Sequence, residues 1–281
     1  MTGVVIKRRS FTNLRAFQLL GEARAARVLH QAMPKQIQEY HLVIPDVTAR
    51  VCRKGVLITT GRLEGQRLIE KIYQAVELEE AVRIAALVFW ALYQADICWW
   101  WGRCLGRVYP FVRSQKVHRL QSRDLLELTE QQRLQLNRVL RSKAGQHGTH
   151  LVHGDLHAGN ILVDHGSMQV GLVDLELAHI GSPAVDFCAL WSSFFLAAPE
   201  LGQQFYRSAR QLVPELDDKL LLEAIYCKLV KNSYLLVHKG LQDRNSLLAD
   251  RARTLLLDLL DLSHLVDFHL FLRSEAHQHA S

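Results

Sequence analysis

Apolar and polar positions follow two different periods along the chain, and the change comes near residue 65. Before it, short runs rich in β-branched residues predict strands at residues 4–7, 41–44, 47–52 and 56–60. A helix is predicted after the first strand, because Ala23, Ala26 and Leu29 fall on one helical face. This part of the chain is therefore predicted to form a small mixed lobe.

After residue 65 the apolar positions recur at helical spacing over long stretches. Helices are predicted at residues 77–96, 128–143, 184–196, 217–240 and 251–272, with Thr129 as the N-cap of the second. One hairpin interrupts them, with strands at residues 161–164 and 169–174. The prediction is an α+β fold with a small strand-rich lobe at residues 1–62 and a larger, mainly helical lobe at residues 63–281.

The composition is that of a folded globular protein. Of 281 residues 49% are apolar and 22% charged, without a long Gly, Ser or Pro tract or a short repeat. The five cysteines lack the paired spacing of a zinc site or redox motif, which predicts reduced core thiols in a cytoplasmic protein. Residues 84–101 are strongly apolar, but Gln94 and Asp96 interrupt them, so a buried helix is favoured over a membrane span.

Positive charge is concentrated at the beginning of the chain. Residues 1–54 hold ten Lys and Arg against three acids, a local charge of +7 within a total of +6. Such a region suits a polyanionic partner such as nucleotide phosphates, nucleic acid or an acidic glycolipid, and a solvated surface explains it equally well. Nucleic-acid binding is not expected, since basic residues and aromatics do not interleave elsewhere in the chain.

Three oxygen-bearing side chains in the middle of the chain have the spacing of a phosphotransfer site. Phosphoryl transfer from a nucleotide needs a carboxylate at the acceptor hydroxyl and oxygen ligands for magnesium. Asp155 and Asn160 are five positions apart, the interval between the catalytic Asp and the metal-binding Asn of protein kinases. The predicted hairpin returns Asp174 to the same cleft. Turn capping is the competing interpretation, but unpaired carboxylates between buried strands are costly.

The segments HGDLHAGNILVD and GLVDLELAHIGSPAVDFCAL resemble the catalytic and metal-binding segments of the aminoglycoside phosphotransferase and choline kinase family, within the protein-kinase-like superfamily. The resemblance implies a bilobal fold that uses ATP and Mg²⁺. It makes Asp155 the catalytic base and assigns the metal to Asn160 and Asp174. It also implies that Asp186 accepts backbone N–H groups of the catalytic loop and that His153 braces the loop.

Two other residues of this block leave their roles open. Glu176 resembles an acidic residue that is common in this family just after the metal-binding Asp. His157 either faces the metal or acceptor or is a structural histidine of the loop. The structural role is favoured, because histidine readily hydrogen-bonds to backbone groups.

The resemblance continues into the N-terminal lobe. Lys7 closes the run VVIK, which is similar to the strand that presents the phosphate-contacting lysine. Glu22, near the start of the next helix, is placed as the ion-pair partner of this lysine. Thr60 and Arg62 fall in a segment similar to the hinge beside the adenine. The competing interpretation of Lys7 is a solvated cation in a basic run.

The sequence departs from the family pattern before Lys7. Six residues precede this lysine, where the family normally has two strands and a Gly-rich turn over the phosphates. The expectation is an N-lobe without these elements, and three interpretations stay open: a late start of the chain, an abbreviated nucleotide lid, or binding without catalysis. The open sheet edge would suit a partner or a second copy of the chain.

The acceptor is the least constrained part of the prediction. The C-terminal helices mix charges, with Lys228 and Lys231 near Asp243 and Asp250, unlike a pocket for cationic antibiotics or choline. The basic beginning also resembles, more weakly, lipopolysaccharide-core kinases. An anionic glycolipid at the inner face of the membrane would suit it and Trp99–Trp101, although core packing explains the tryptophans as well.

Together these observations predict an ATP- and magnesium-dependent phosphotransferase that acts on a hydroxyl of a small molecule, sugar or glycolipid. The alternative is a nucleotide-binding or non-catalytic pseudokinase with a regulatory role. A Ser/Thr protein kinase is disfavoured, since VDLELA stands in place of Asp-Phe-Gly and no activation segment precedes Ser182.

Overall fold

The computed structural model describes residues 4–10, 15–53, 55–95, 127–142, 148–242 and 246–262. The chain divides into two compact units. The first contains residues 1–110 and 146–215, and the second contains residues 111–145 and 216–281.

The strands of the first unit form three sheets. In chain order they are β1 (Val4–Ser10), β2 (Gln36–Ile37), β3 (Tyr40–Val43), β4 (Val47–Cys52), β5 (Gly55–Gly61), β6 (Gln66–Arg67), β7 (His150–Val152), β8 (Ile161–Asp164), β9 (Gln169–Leu172) and β10 (His179–Gly181). The sheet orders are β1-β5-β4, β2-β3-β9-β8-β6 and β10-β7. All neighbouring pairs are antiparallel except β3 and β9, which are parallel.

The described part of the first unit also contains five helices, which are α1 (Arg15–Ala32), α2 (Leu68–Tyr73), α3 (Leu78–Tyr93), α5 (Ala184–Phe195) and α6 (Pro199–Leu212). The α1 helix packs on β4 and β5, and α3 packs against α5 and α6. Most of α3 is buried because Ala, Val, Ile and Leu occupy nearly all of its turns. Its Phe89 meets Phe187 of α5 edge to face, with ring centroids 5.5 Å apart.

The second unit is helical in its described part. It contains α4 (Glu130–Arg141), α7 (Asp218–Gln242) and α8 (Ser246–Asp261). Thr129 begins α4 with a capping box, since its hydroxyl accepts from the Gln132 N–H while the Gln132 side chain accepts from the Thr129 N–H. Gln135 donates to the Tyr226 hydroxyl, and that hydroxyl donates to the Leu259 carbonyl, which ties the three helices together.

Most elements predicted from the sequence are confirmed, including the α+β class, the Thr129 cap and the hairpin β8–β9. The helix α6 was missed, although Leu201, Phe205 and Ala209 lie four apart on its buried face and Pro199 begins it. The expectation of core thiols holds for Cys188 and Cys227 but is wrong for Cys52, which is exposed because it ends the edge strand β4. A lobe boundary between residues 62 and 63 stays a prediction.

Two other expectations concern the surface. The strand β1 lies at a sheet edge, where its apolar residues Val4, Val5 and Ile6 are exposed. In the described part of the chain, no helix has the length and apolarity needed to cross a membrane. The tryptophans Trp99–Trp101 lie outside the described residues.

Candidate active site

The loop after β7 is held by a buried carboxylate. Asp186, in the first turn of α5, accepts from the His153 N–H at 2.6 Å and from the Gly154 N–H at 2.9 Å. Gly154 has φ +81°, and a Cβ there would lie 2.3 Å from the Leu177 carbonyl oxygen, so only glycine fits. These contacts fix the backbone directly before Asp155.

The surroundings of Asp186 are strongly desolvating. Burial raises the pKa of its carboxyl, and the charge of His153 and the two backbone N–H groups offset this only in part. The His153 ring adds a second brace, because its Nε2 lies 2.9 Å from the Val173 carbonyl and must donate to it. The loop after β7 is thereby tied both to α5 and to the segment that leads into Asp174.

Asp155 and Asn160 are joined through the loop backbone. The Asn160 Nδ2 donates to the Asp155 carbonyl at 2.9 Å, which turns the amide oxygen away from that carbonyl. Between them, residues Ala158–Asn160 form one turn of 3₁₀ helix. Asn160 is buried, whereas the Asp155 side chain is 43% exposed. A carboxylate that acts on a bound acceptor needs such access to solvent.

The hairpin brings Asp174 next to Asn160. Ile161 pairs with Leu172 at the start of β8, and the Val173 N–H donates to the Asn160 carbonyl at 3.1 Å. Asp174 follows directly, with the left-handed backbone angles φ 62° and ψ 55°. Asp is one of the few non-glycine residues that tolerates this region, and such residues cluster at functional sites.

Lys7 connects the first sheet to Asp174. Its Nζ donates to Asp174 Oδ1 at 2.7 Å and to both carboxylate oxygens of Glu22 at 3.2 Å. Glu22 is buried and lies two turns inside α1, not near the start of the helix as predicted. A solvated Lys7 is therefore not what the structure contains.

The pKa values of this cluster reflect competition between burial and pairing. Burial acts to lower the pKa of Lys7, but the hydrogen bond to Asp174 and the carboxylate charges outweigh it, so the pKa is raised. For the Glu22 carboxyl, burial instead raises the pKa, and the Lys7 ammonium offsets only part of this. The raised pKa of Lys7 favours its charged form, whereas the raised pKa of Glu22 favours its neutral form. Because both carboxylate oxygens of Glu22 contact the Lys7 ammonium, we assign the ionised pair near neutral pH.

Glu176 completes a set of oxygen donors. Carboxylate oxygens of Glu22, Asp174 and Glu176 lie within 4.8 Å of one another. Carboxylate and amide oxygens are the ligands that Mg²⁺ prefers, and it takes one or two carboxylates together with substrate phosphates. Asp174 is 44% exposed and lies beside Asn160, so it fits this donor chemistry, whereas Glu22 is buried.

The two residues predicted at the hinge are separated from these contacts. Thr60 pairs with Val5 of β1, two positions from the Lys7 pair, and is buried. Its hydroxyl has no hydrogen-bond partner among the described residues. Arg62 extends into solvent, where its Nε lies 3.9 Å from Glu64. The structure thus brings Thr60 near the strand of Lys7 and shows no contact of Arg62 with the other predicted site residues.

Sequence reasoning missed one anchor of the loop. The Ser193 hydroxyl of α5 accepts from the Ala158 N–H at 3.1 Å and donates to the Ala189 carbonyl at 3.0 Å. Its distance from the loop in sequence left no local signal by which to find it.

Comparison with known proteins identifies the family and the fold of the chain. The model of the "Phosphotransferase enzyme family" matches residues 21–218. The GDP and kanamycin complex of APH(2″)-IIIa is similar in structure, with a TM-score of 0.63, 17% identity and coverage of 91% of this chain and 86% of that one. The gentamicin complex of APH(2″)-IIa has a TM-score of 0.55, 16% identity and coverage of 90% and 84%. No curated protein matches by sequence.

The third neighbour, an aminoglycoside-3′-phosphotransferase of type VIII, has a TM-score of 0.54, 19% identity and coverage of 80% and 84%. At these identities the neighbours establish the fold, which is the protein-kinase-like fold of aminoglycoside phosphotransferases. The family match spans well over half of the sequence. The chain therefore belongs to the phosphotransferase enzyme family.

Proposed function

We propose that the protein transfers the γ-phosphate of ATP, with magnesium, to a hydroxyl group of a small molecule or sugar. The observation that carries this proposal is the contact of Lys7 with both Glu22 and Asp174. A cation held by a buried glutamate beside a metal-binding aspartate is the arrangement that positions nucleotide phosphates in kinases.

Each residue then has a defined task. Lys7 contacts the phosphates, Glu22 orients Lys7, and Asp155 accepts the proton of the acceptor hydroxyl. Asp186 and His153 hold the loop so that the Asp155 carboxylate keeps its place. Catalysis in this class of reaction depends mainly on such positioning and on fixed charges.

The metal would be held by Asp174 and Asn160. Two features support this: the Asn160 amide is oriented by the Asp155 carbonyl, and Asp174 projects from a left-handed turn directly after β9. Magnesium neutralises charge on the phosphates when bound. Glu176 lies close enough to Asp174 to contribute an oxygen to the same shell.

The adenine base of the nucleotide would lie near Thr60 and the backbone around Arg62. The buried Thr60 hydroxyl has no partner among the described residues, so it is available for a hydrogen bond to a polar group of the adenine base. Arg62 is exposed and its side chain is assigned no contact with the base.

For the acceptor, the neighbours bound to kanamycin and gentamicin point to a hydroxyl-rich small molecule. An anionic glycolipid is the second acceptor class, on the strength of the basic N-terminal sequence. Both classes supply an alcohol oxygen as the nucleophile, so the same catalytic residues serve either one.

The proposal is tested by ADP formation with magnesium ATP and a panel of aminoglycosides, sugars and lipopolysaccharide. We expect acceptor-dependent turnover that Asp155→Ala lowers by at least about 1,000-fold, while nucleotide binding persists. Arg133→Ala, an exposed position in α4, is the control for folding and expression. Nucleotide binding without turnover on any acceptor would instead establish the pseudokinase alternative.

A further inference from the structure

The ring of His157 is fixed by the backbone of its own loop. Its Nδ1 accepts a hydrogen bond from the Gly159 N–H at 3.0 Å. A nitrogen that accepts a hydrogen bond carries no proton, so the neutral ring must carry its proton on Nε2. The loop backbone therefore selects one tautomer of this histidine.

The ring is also confined in space. A Cβ on Gly159 would lie 2.8 Å from His157 Cε1 and 2.9 Å from Nδ1, so the ring lies directly over the glycine Cα. The Ala158 N–H is bound to Ser193 of α5, which anchors the turn under the ring. Both the orientation and the tautomer of His157 are therefore set before any ligand binds.

The fixed Nε2 lies beside Asp155. It is 3.9 Å from Asp155 Oδ2, and among the residues that the structure describes no other side chain pairs with that carboxylate. Both side chains are 43% exposed. Catalytic hydrogen bonds are often long before substrate binds and shorten in the complex.

We propose that His157 is a positioning residue for Asp155, with its Nε2–H acting as the donor that holds the Asp155 carboxylate toward the acceptor. This inference rests on the proposed function, because it assigns Asp155 the role of base. In a purely structural role, the ring would only brace the loop, through contacts such as that of Nδ1 with the Gly159 N–H.

Two substitutions separate these roles, because each keeps one end of the ring. His157→Asn places an amide oxygen near the position of Nδ1 and keeps the acceptor for Gly159, but it removes the donor to Asp155. His157→Gln reaches the position of Nε2 with its amide N–H and loses the acceptor for Gly159. A positioning role requires the Gln variant to be the more active of the two.

We expect His157→Asn to lower kcat by about 10- to 100-fold with the KM for ATP unchanged, and His157→Gln to recover about tenfold of that loss. His165→Asn, in the turn of the β8–β9 hairpin, is the matched control and should leave kcat unchanged. If His157→Asn keeps the wild-type kcat, or is more active than His157→Gln, the inference is overturned.

A second readout does not depend on activity. Ring ¹⁵N shifts, assigned by comparison with His157→Asn, should show His157 as the Nε2–H tautomer, and Asp155→Asn should move its Nε2 shift. An Nδ1–H tautomer, or no response to Asp155→Asn, would overturn the inference even in an active enzyme. If the wild type turns over no acceptor, the proposed function fails, and the ring shifts still decide whether His157 donates to Asp155.

Discussion

Two lysines of the first unit are surrounded by acidic side chains, and only one of them has the surroundings of a binding site. Lys7 contacts Glu22 and Asp174, and its side chain is 28% exposed. Lys71 of α2 contacts Glu77 and the ring of His165, and its side chain is only 6% exposed. We call the first group the open cluster and the second the closed cluster, because solvent reaches the side chain of Lys7 but hardly reaches that of Lys71.

The closed cluster satisfies its charges internally. The Lys71 ammonium can only donate, so His165 Nε2 accepts from it at 2.6 Å. The hydrogen bond from Lys71 lowers the pKa of Glu77, and Tyr40 hydrogen-bonds to Glu80 with burial raising the tyrosine pKa to about 12. Lys7 likewise contacts two of the three acids in its own group, Glu22 and Asp174. Charge clustering alone therefore does not identify a site.

The open cluster differs in its backbone as well as in its exposure. Asp174 is 44% exposed and projects from a left-handed turn beside Asn160, whereas Glu22 is buried behind Lys7. One acid thus orients the lysine and the other faces solvent. The Lys71 cluster lacks this arrangement, because its acids Glu77 and Glu80 are both partly exposed.

The largest expected difference comes from removing the acid bound to each lysine. Asp174→Ala should lower kcat by about 100- to 1,000-fold, because the magnesium that neutralises the phosphates loses its carboxylate ligand. Glu77→Ala should leave kcat within about twofold, since it removes a carboxylate that only neutralises Lys71. Steady-state ADP formation measures both. Equal losses in the two variants would remove the distinction between the clusters.

Next in size is the effect of Lys7→Met on stability, measured by urea unfolding across pH. Without Lys7 the pKa of Glu22 rises further above its ordinary value of 4.5. A raised carboxyl pKa means that stability is complete below pH 4.5 and is lost as pH rises through the folded-state pKa. We expect Lys7→Met to cost about 2 kcal/mol at neutral pH and little at pH 4.

The control for this prediction is Lys7→Met combined with Glu22→Gln. The double variant should regain most of the lost stability and lose the added pH dependence, because position 22 no longer carries a carboxyl that can ionise. It should not regain turnover. A pH-independent loss in Lys7→Met alone would show that the lysine stabilises the fold through packing and not through Glu22.

Sequence patterns anticipated the parts of the fold and of the site that are built locally. The interval from Asp155 to Asn160, the β8–β9 hairpin and the Thr129 cap each depend on groups a few residues apart, so spacing reveals them. Lys7 was placed only by resemblance. The roles assigned to these site residues stay predictions, whereas their positions are those described above.

The features that sequence patterns missed depend on distant partners. The parallel pairing of β3 with β9 joins residues more than a hundred positions apart, and no periodicity encodes which strands become neighbours. Ser193 and Lys71 likewise acquire their importance from segments far away in sequence. The sequence does not determine the orientation of the His157 ring, because a histidine at this position fits either of its two roles.

The smallest expected effect is that of Lys71→Met. Methionine fills a similar volume, and Glu77 stays half exposed and hydrated, so Tm should remain within about 2 °C of the wild type. Thermal unfolding followed by circular dichroism measures it, with kcat unchanged. A larger loss of stability than that of Lys7→Met would mean that the closed cluster stabilises the fold more than the open cluster does.

The central claim is that Asp174 and Asn160 hold a metal–nucleotide complex beside Lys7. Calorimetric titration with ATP, in the presence and absence of magnesium, tests this claim on the wild type and on a double variant that combines Asn160→Ala and Asp174→Ala. We predict one binding site in the wild type, strengthened by magnesium, and a double variant whose ATP affinity no longer responds to magnesium. Magnesium-independent binding in the wild type, or an unchanged magnesium response in the variant, would contradict the claim.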